Sequence, residues 1–327
     1  MSLNKPTEET GEAGPTPLTP RSPAKDFQVA IAFDVGGTKL AAGLVRADGL
    51  VLARRTMATN AARGGEAVLQ DCLALVGELR AEAVTAGVEP AAIGLGVCEL
   101  VDLAGNVISD QTIKWRGVAV RERFGNELPV FVEADCRAAA WCEARLGAGR
   151  EFASFLYVTI GTGISCTLVI DGRPYRGARG ATGTMATSPL AVWCSACEGI
   201  SRTALEKLAG GPGLVMRFNQ LTGTNATGAD EVLAAASQGE PSARRVIADA
   251  GESLGGMLGT LVNVLDPHAI IIGGGLGSAP GAYFELIDAA TRATIWSDTQ
   301  RDLPIRRASF GADAGLVGAG LVALGKE

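Results

Sequence analysis

Two short glycine-containing segments in this sequence have the residue types that bind phosphate groups. The first is Asp34-Val-Gly-Gly-Thr-Lys39, and the second is Thr159-Ile-Gly-Thr-Gly-Ile164. Glycine lets the backbone approach a ligand closely, and successive N–H groups in a tight turn form a concave site for anionic oxygens. The alternative is a pair of ordinary hairpins with glycine in their turns. The residues that we predict to bind phosphate are Gly36, Gly37, Thr38, Lys39, Gly161, Thr162 and Gly163.

Two aspartates stand where strands are predicted to end. Asp34 follows the apolar residues 29–33, a suitable place to hold a hydrated Mg²⁺ beside phosphates. Asp135 follows the predicted strand 129–133 and begins an alanine-rich helix. Capping of the helix is the ordinary role of such an aspartate, and a base in catalysis is the other.

A third glycine cluster, Gly273, Gly274 and Gly275, follows the predicted strand 269–272. A glycine-rich turn after a strand invites a dinucleotide-binding interpretation, but the third glycine of G-x-G-x-x-G is missing. No P-loop of the form G-x-x-x-x-G-K-[ST] occurs in the chain. The choice between a ligand-lining backbone and a plain turn stays open on these residues alone.

The elements that must position these residues repeat along the chain. The order of strand, glycine turn and returning strand occurs at residues 29–45 and again at residues 155–170, which indicates an internal duplication. Strands alternate with helical patterns, among them an amphipathic helix predicted over residues 66–86. We predict an α/β protein with two domains and a cleft between them. Residues 177–197 look irregular, and residues 203–265 look mostly helical.

Composition narrows the class of protein. The 327 residues are 47% hydrophobic and carry a net charge of −6 with no basic cluster, so no nucleic-acid partner is expected. Residues 1–26 are rich in Pro, Thr and Glu and lack the apolar region of a signal peptide, so we expect a disordered tail. No apolar stretch has the roughly 20 residues of a membrane helix. Seven scattered cysteines indicate reduced thiols and a cytoplasmic protein.

With these motifs in order, the chain from about residue 28 resembles the ROK family (repressors, open reading frames and sugar kinases) of actin-like ATPases. The two glycine segments resemble its phosphate loops, and Val132-Glu-Ala-Asp135 resembles its V-E-N-D segment, whose Asp is the catalytic base. Leu265 to Leu276 resembles the strand and loop that face the adenosine, and Asp313 to Ala319 resembles the closing helix. The resemblance implies two ribonuclease-H-like domains, residues 27–134 with 309–327 and residues 135–308, with ATP bound between them.

The departures from the family pattern concern the sugar pocket. Ala134 stands where sugar kinases of the family carry Asn, and Gly183-Thr-Met-Ala-Thr187 stands where they carry G-E-I-G-H. The family's zinc-binding cysteines are reduced to Cys194 and Cys197, so we expect no zinc site. The residues that the resemblance places at the acceptor are Glu99, Thr112, Lys114, Glu133, Thr184 and Thr187.

The resemblance implies an ATP- and Mg²⁺-dependent kinase that phosphorylates a hydroxyl of a sugar-like molecule such as a cyclitol, an amino sugar or a deoxy sugar. Asp135 would be the catalytic base, and Gly273 to Gly275 would line the adenosine side. The alternative is a non-catalytic sensor that binds sugar or nucleotide, and a weaker one is an ATPase coupled to a protein partner. A homodimer is implied by the resemblance alone.

Overall fold

The computed structural model describes residues 28–125, 127–187, 189–194 and 198–325, without the side chains of residues 192–194 and 201. The strands are β1 Val29–Val35, β2 Lys39–Arg46, β3 Val51–Ala58, β4 Pro90–Val97, β5 Val130–Ala134, β6 Ser154–Ile160, β7 Ile164–Ile170, β8 Arg173–Pro174, β9 Pro189–Cys194, β10 Gly199–Ala204, β11 Ile270–Gly273 and β12 Ile305–Arg307. The α-helices are α1 Gly65–Thr85, α2 Val120–Arg123, α3 Asp135–Arg145, α4 Leu205–Ala209, α5 Gly211–Thr222, α6 Ala229–Ser237, α7 Pro241–Leu265, α8 Ala282–Thr294, α9 Asp298–Arg301 and α10 Ala314–Leu324.

Two five-stranded sheets share one topology. The first has the order β3-β2-β1-β4-β5 and the second the order β8-β7-β6-β11-β12. In each sheet three antiparallel strands are followed by two parallel ones. The predicted α/β fold with an internal duplication is therefore confirmed. The glycine turns close the corresponding hairpins, β1–β2 and β6–β7.

Helices α3 and α10 lie between the two sheets. One apolar cluster joins Ala32 of β1, Tyr157 of β6 and residues of both helices. The helices cross closely because Gly318 has no side chain: a Cβ there would lie 1.8 Å from the carbonyl oxygen of Ala138. The helix that begins with Asp135 is thus fixed between the sheets.

The second sheet is covered by α7. Its buried side chains, among them Val246, Leu254, Leu258 and Val262, recur at three- and four-residue intervals, the spacing of one helix face. Truncating such a buried leucine to alanine typically costs about 2–5 kcal/mol. This packing makes a rigid support for the loops that follow β6 and β11.

One region differs from the prediction. Residues 189–194 and 199–204 form the antiparallel strands β9 and β10, whereas irregular structure was predicted up to residue 197 and helical structure from residue 203. The alternation of Ile200, Ser201, Arg202 and Thr203 is typical of a strand, but it is too short to stand out from the sequence alone. Cys197 and the side chain of Cys194 lie outside the described residues, so the expectation about this cysteine pair stays a prediction.

The proposed domain boundaries fall between the sheets. Strands β1–β5 precede residue 135, and the strands of the second sheet lie between residues 135 and 308. The division at these residues stays a prediction. Within the described part of the chain, no helix combines the length and the apolar character needed to cross a membrane.

Candidate functional site

The first glycine turn joins β1 to β2, and hydrogen bonds from Thr59 hold it in place. The Gly36 amide donates to the Lys39 carbonyl (3.0 Å), which closes the turn. The fully buried Thr59 donates its hydroxyl to the Gly36 carbonyl (2.7 Å) and its amide to the Thr38 carbonyl (3.0 Å). Thr38 and Lys39 remain exposed. Thr59 was not predicted from the sequence, because no motif identifies a residue that only supports a turn.

The second glycine turn joins β6 to β7 and is held by α4 and α5. The Gly161 amide donates to the Gly163 carbonyl (2.9 Å), and the Gly161 carbonyl accepts from the Gly211 amide (2.8 Å). The Glu206 carboxylate accepts from the Ile164 amide (2.9 Å). Glu206 was also missed, since its role depends on a contact 42 residues away in sequence.

The loop after β11 is attached to the second turn. The amides of Leu276 and Gly277 both donate to the Ile160 carbonyl, at 2.9 and 3.0 Å. Gly274 has φ +79°, and a Cβ there would lie 2.4 Å from that same carbonyl oxygen. A Cβ on Gly273 would lie 2.5 Å from the Tyr157 hydroxyl, whereas Gly275 faces open space. Two of these glycines are therefore needed for packing and the third borders a cavity.

One cavity of about 590 Å³ is lined by residues of all three loops: Thr38 from the first turn, Gly161 and Thr162 from the second, and Gly275. Its far wall comes from α5, α6 and the loop before α6, and includes Pro212, Met216, Asp230 and Leu233. The wall is mostly apolar and gave no sequence signal, because its residues belong to ordinary amphipathic helices. The Asp230 carboxylate has no hydrogen-bond or ionic partner among the described residues.

Asp135 is the first residue of α3, and Ala134 occupies the capping position. Its carboxylate accepts one bond, from the Cys136 amide (2.6 Å). The pKa of Asp135 is raised to about 7, mainly by burial and then by the charge of Asp34. Burial likewise raises the pKa of Asp34 to about 6, against the lowering effect of Lys39 and Arg54. A partly buried carboxylate with so high a pKa lacks a compensating partner, a state frequent at functional sites.

Asp34 fits the requirements of a hard divalent cation. Its carboxylate has no hydrogen bond among the described residues and lies against the start of α10, where a Cβ on Gly315 would be 2.5 Å from it. A carboxylate oxygen donor in a partly buried position, close enough to Asp135 to shift its pKa, suits a hydrated Mg²⁺. The described residues contain no cluster of three or more His, Cys, Asp or Glu side chains arranged to hold a metal.

Glu99, predicted at the acceptor, is buried and bonded to the protein itself. Its carboxylate accepts from the amides of Gln111 (3.0 Å), Thr112 (2.6 Å) and Ile113 (2.8 Å) and from the hydroxyl of Ser109. All its strong acceptor positions are therefore occupied. Glu99 shapes the loop that carries Thr112 and Lys114.

Glu133 is bonded in the same way. One carboxylate oxygen accepts from the Ala134 amide (2.9 Å) and from Nε of Arg137 (2.6 Å), and the other lies 3.0 Å from Arg176. The side chain is buried. Like Glu99, it is engaged with neighbouring groups of the protein.

The remaining acceptor-side residues are exposed. Thr112 packs on the first glycine turn, where a Cβ on Gly37 would be 2.6 Å from its Cγ2. The ammonium of Lys114 donates to the Asp110 carbonyl (2.7 Å). Thr184 follows Gly183, whose carbonyl accepts from the Cys166 amide (3.3 Å), and Thr187 donates its hydroxyl to the Thr184 carbonyl (2.8 Å).

Cys98 shows that the acidic groups share one region. Burial raises the pKa of its thiol, and the charges of Asp135, Glu99 and Asp34 raise it further. The thiol is therefore within electrostatic reach of the base candidate, the metal-ligand candidate and the residue that shapes the acceptor loop. The thiol is partly buried, and its raised pKa keeps it protonated and so poorly nucleophilic.

Comparison with known proteins agrees with this geometry. The ROK family model matches residues 30–326, so the chain belongs to the ROK family. The bifunctional enzyme NanE/NanK of Brucella melitensis biotype 1 is 34% identical over 91% of this chain, which spans about half (54%) of that relative's length. The N-acetylmannosamine kinase of Escherichia coli O7:K1 is 28% identical over 91% of this chain and 99% of its own. A solved ROK glucokinase from Streptomyces griseus, in complex with glucose and AMPPNP, superposes with a TM-score of 0.79 at 28% identity, covering 91% of this chain and 100% of its own.

Proposed function

We propose that this protein is an ATP-dependent kinase that transfers the γ-phosphate to a hydroxyl of a sugar or a sugar-like molecule. The observation that carries the proposal is the shared cavity, which glycine turns from both sheets border together. The glucose and AMPPNP complex of the Streptomyces griseus relative supports the same pairing of substrates. A site of two phosphate-binding turns and one partly buried carboxylate fits in-line phosphoryl transfer.

Each residue then has a role. The amides of Gly37 and Gly163, with the hydroxyls of Thr38 and Thr162 and the Lys39 ammonium, bind the phosphates, while the amides of Gly36 and Gly161 close the two turns. Asp135 accepts the proton of the attacking hydroxyl, and burial has already brought its pKa near neutrality, where a general base works best. The adenine ring of ATP packs against the apolar wall with Met216 and Leu233. The carboxylate of Asp230 is available to the ribose hydroxyls.

Asp34 would hold the hydrated Mg²⁺. The cation supplies charge neutralisation at the phosphates. Asp34 keeps its place because it lies in β1 against the start of α10, and the charges of Lys39 and Arg54 partly oppose the rise in its pKa that burial causes.

The acceptor site supports a sugar-like substrate of restricted shape. Glu99 and Glu133 are bonded to other groups of the protein. The side chains that can still contact the acceptor include Asp135, Thr112, Lys114, Thr184 and Thr187. With two carboxylates engaged, few groups remain to bind hydroxyls, which favours an acceptor whose polar groups differ from those of a standard hexose, such as a deoxy sugar, an amino sugar or a cyclitol. We infer that Glu99 and Glu133 act by shaping this site.

The deciding experiment combines binding and turnover. Titration calorimetry with ATP and Mg²⁺ should show binding, and no binding would end the kinase proposal. Incubation with ATP, Mg²⁺ and single sugars (glucose, N-acetylmannosamine, 2-deoxyglucose, glucosamine and myo-inositol) should release ADP and add one phosphate to a sugar in the mass spectrum.

The alternatives give other results in the same experiment. A non-catalytic sensor predicts binding of nucleotide or sugar without ADP release for any acceptor. An ATPase coupled to a protein predicts ADP release that no sugar changes. We further infer a homodimer that resides in the cytoplasm and binds no nucleic acid; sedimentation of the purified protein tests the dimer.

A further inference from the structure

Arg137 is a fully buried arginine in the first turn of α3, two residues after Asp135. It is 2% exposed. Its guanidinium donates in three directions: Nε to Glu133 (2.6 Å), one terminal nitrogen to the Gly180 carbonyl (2.8 Å) and the other to the Val101 carbonyl (2.7 Å). A guanidinium has its donors in a rigid plane, so three such bonds fix its position.

The two carbonyls belong to opposite halves of the molecule. Val101 lies in the loop after β4 of the first sheet, and Gly180 lies in the loop after β8 of the second. The loops touch at this point, since a Cβ on Gly180 would lie 2.1 Å from the Val101 carbonyl oxygen. Both loops carry acceptor-side residues, Glu99 and Thr184.

Glu133 completes the arrangement, which we name the Arg137 cluster (Arg137, Glu133 and Arg176 with the carbonyls of Val101 and Gly180). Glu133 lies between the two arginines, with one oxygen to Arg137 and the other 3.0 Å from Arg176. Removing one partner of a buried ion pair is strongly destabilising, because it leaves the other charge uncompensated. Arrangements in which Arg137 and Glu133 separate are therefore disfavoured.

We propose that Arg137 is a positioning residue for the acceptor: it joins the acceptor loops of both halves to the helix that carries Asp135, and so fixes the acceptor site before substrate arrives. The proposal rests on the proposed kinase function. The nucleotide cavity, whose walls come from α5, α6 and the glycine turns, has no member of the Arg137 cluster among its lining residues. Loss of Arg137 should therefore affect the acceptor and leave ATP binding in place.

The test compares Arg137→Lys and Arg137→Met with the wild-type protein. We expect both variants to raise the KM for the phosphorylated sugar, found among glucose, N-acetylmannosamine and myo-inositol, by about 10- to 100-fold, because small displacements of an acceptor have effects of that order. The KM for ATP should stay within about twofold. Arg217→Met is the matched control: Arg217 is also buried and bonded to a carboxylate and a carbonyl, but it joins α5 to α7.

Three outcomes would overturn the proposal: full recovery by lysine, which would show that charge alone matters, equal rises in both KM values, or the same acceptor effect in Arg217→Met. Hydrogen exchange of the ligand-free proteins provides a readout independent of kinase activity. Arg137→Met should speed exchange in residues 99–107 and 176–183 together, and unchanged exchange in either segment would refute the joining role. If wild type binds ATP but phosphorylates no sugar, the proposed function fails, and the exchange result alone decides the role of Arg137.

Discussion

The two sides of the cleft are built on different physical principles. On the nucleotide side, three glycine loops present backbone to a cavity, and the polar side chains that support them, Thr59 and Glu206, lie behind the loops. On the acceptor side, buried charged side chains hold the loops, and the carboxylates of Glu99 and Glu133 accept hydrogen bonds from neighbouring groups of the protein. A backbone-built site depends on few residue types, whereas a side-chain-built site can be rearranged by single substitutions.

This difference has a consequence for function. Phosphate groups are common to all members of a nucleotide-dependent family, so the glycine turns need not change. The acceptor differs between members, and the site that we propose for it includes Ala134 and Gly183-Thr-Met-Ala-Thr187. We therefore expect substitutions on the two sides to have separable effects on the two substrates.

The largest effect should come from Asp135, where the two sides meet. Asp135→Asn removes the proton acceptor and should lower kcat by roughly 10²–10⁴, with ATP affinity in calorimetry nearly unchanged. Asp298→Asn is a matched control, because Asp298 is also the first residue of a helix but is exposed and paired with Arg301. Its kcat should equal that of the wild type. Near-normal turnover by Asp135→Asn would remove Asp135 from the mechanism.

The pH dependence of stability tests whether Asp34 and Asp135 lack partners in the ligand-free protein. Their pKa values are about 6 and about 7, raised from 3.8, so the folded state holds more protons than the unfolded state between these limits. The contribution of these two groups to stability should be greatest near pH 4 and fall as pH rises to about 7, by roughly 2–4 kcal/mol for Asp135.

Denaturant unfolding from pH 4.5 to 8 measures this effect. Asp135→Asn should show a flatter profile than the wild type, and Mg²⁺ with a nucleotide should reduce the fall in the wild type. Parallel profiles for the two proteins would show that Asp135 titrates normally.

On the acceptor side, Glu99→Gln separates loop support from substrate contact. The amide nitrogen would face two of the four groups that donate to Glu99, so we expect a loss of about 1–3 kcal/mol in unfolding free energy and a higher acceptor KM. The KM for ATP should not change. Lys114→Met, on the same loop but exposed, should raise the acceptor KM without loss of stability. A normal unfolding free energy in Glu99→Gln would assign Glu99 to the acceptor instead.

The nucleotide side could be predicted from the sequence better than the acceptor side, because its glycine turns are local features of the chain. The duplicated strand–turn–strand units and the glycine turns were predictable, since glycine and strand patterns are local signals, and the structure brings Thr38, Gly161, Thr162 and Gly275 to one cavity. The hydrogen-bond partners of Glu99 and Glu133 could not be predicted. Those of Glu99 lie in a loop about ten or more residues away in the sequence, and those of Glu133 include Arg137 and the distant Arg176. The apolar wall with Met216 and Leu233 was not predicted either, as amphipathic helices look alike whatever cavity they border.

The smallest predicted effect concerns neighbouring glycines on the nucleotide side. Gly274→Ala should destabilise the protein by roughly 1–3 kcal/mol and raise the KM for ATP, because Gly274 has φ +79° and a Cβ would meet the Ile160 carbonyl at 2.4 Å. Gly275→Ala is the matched control, since a Cβ there meets no atom within 4 Å. Its stability should be unchanged. In neither variant should the acceptor KM move, and a rise there would mean that the two sides of the cleft are coupled through the second sheet rather than built separately.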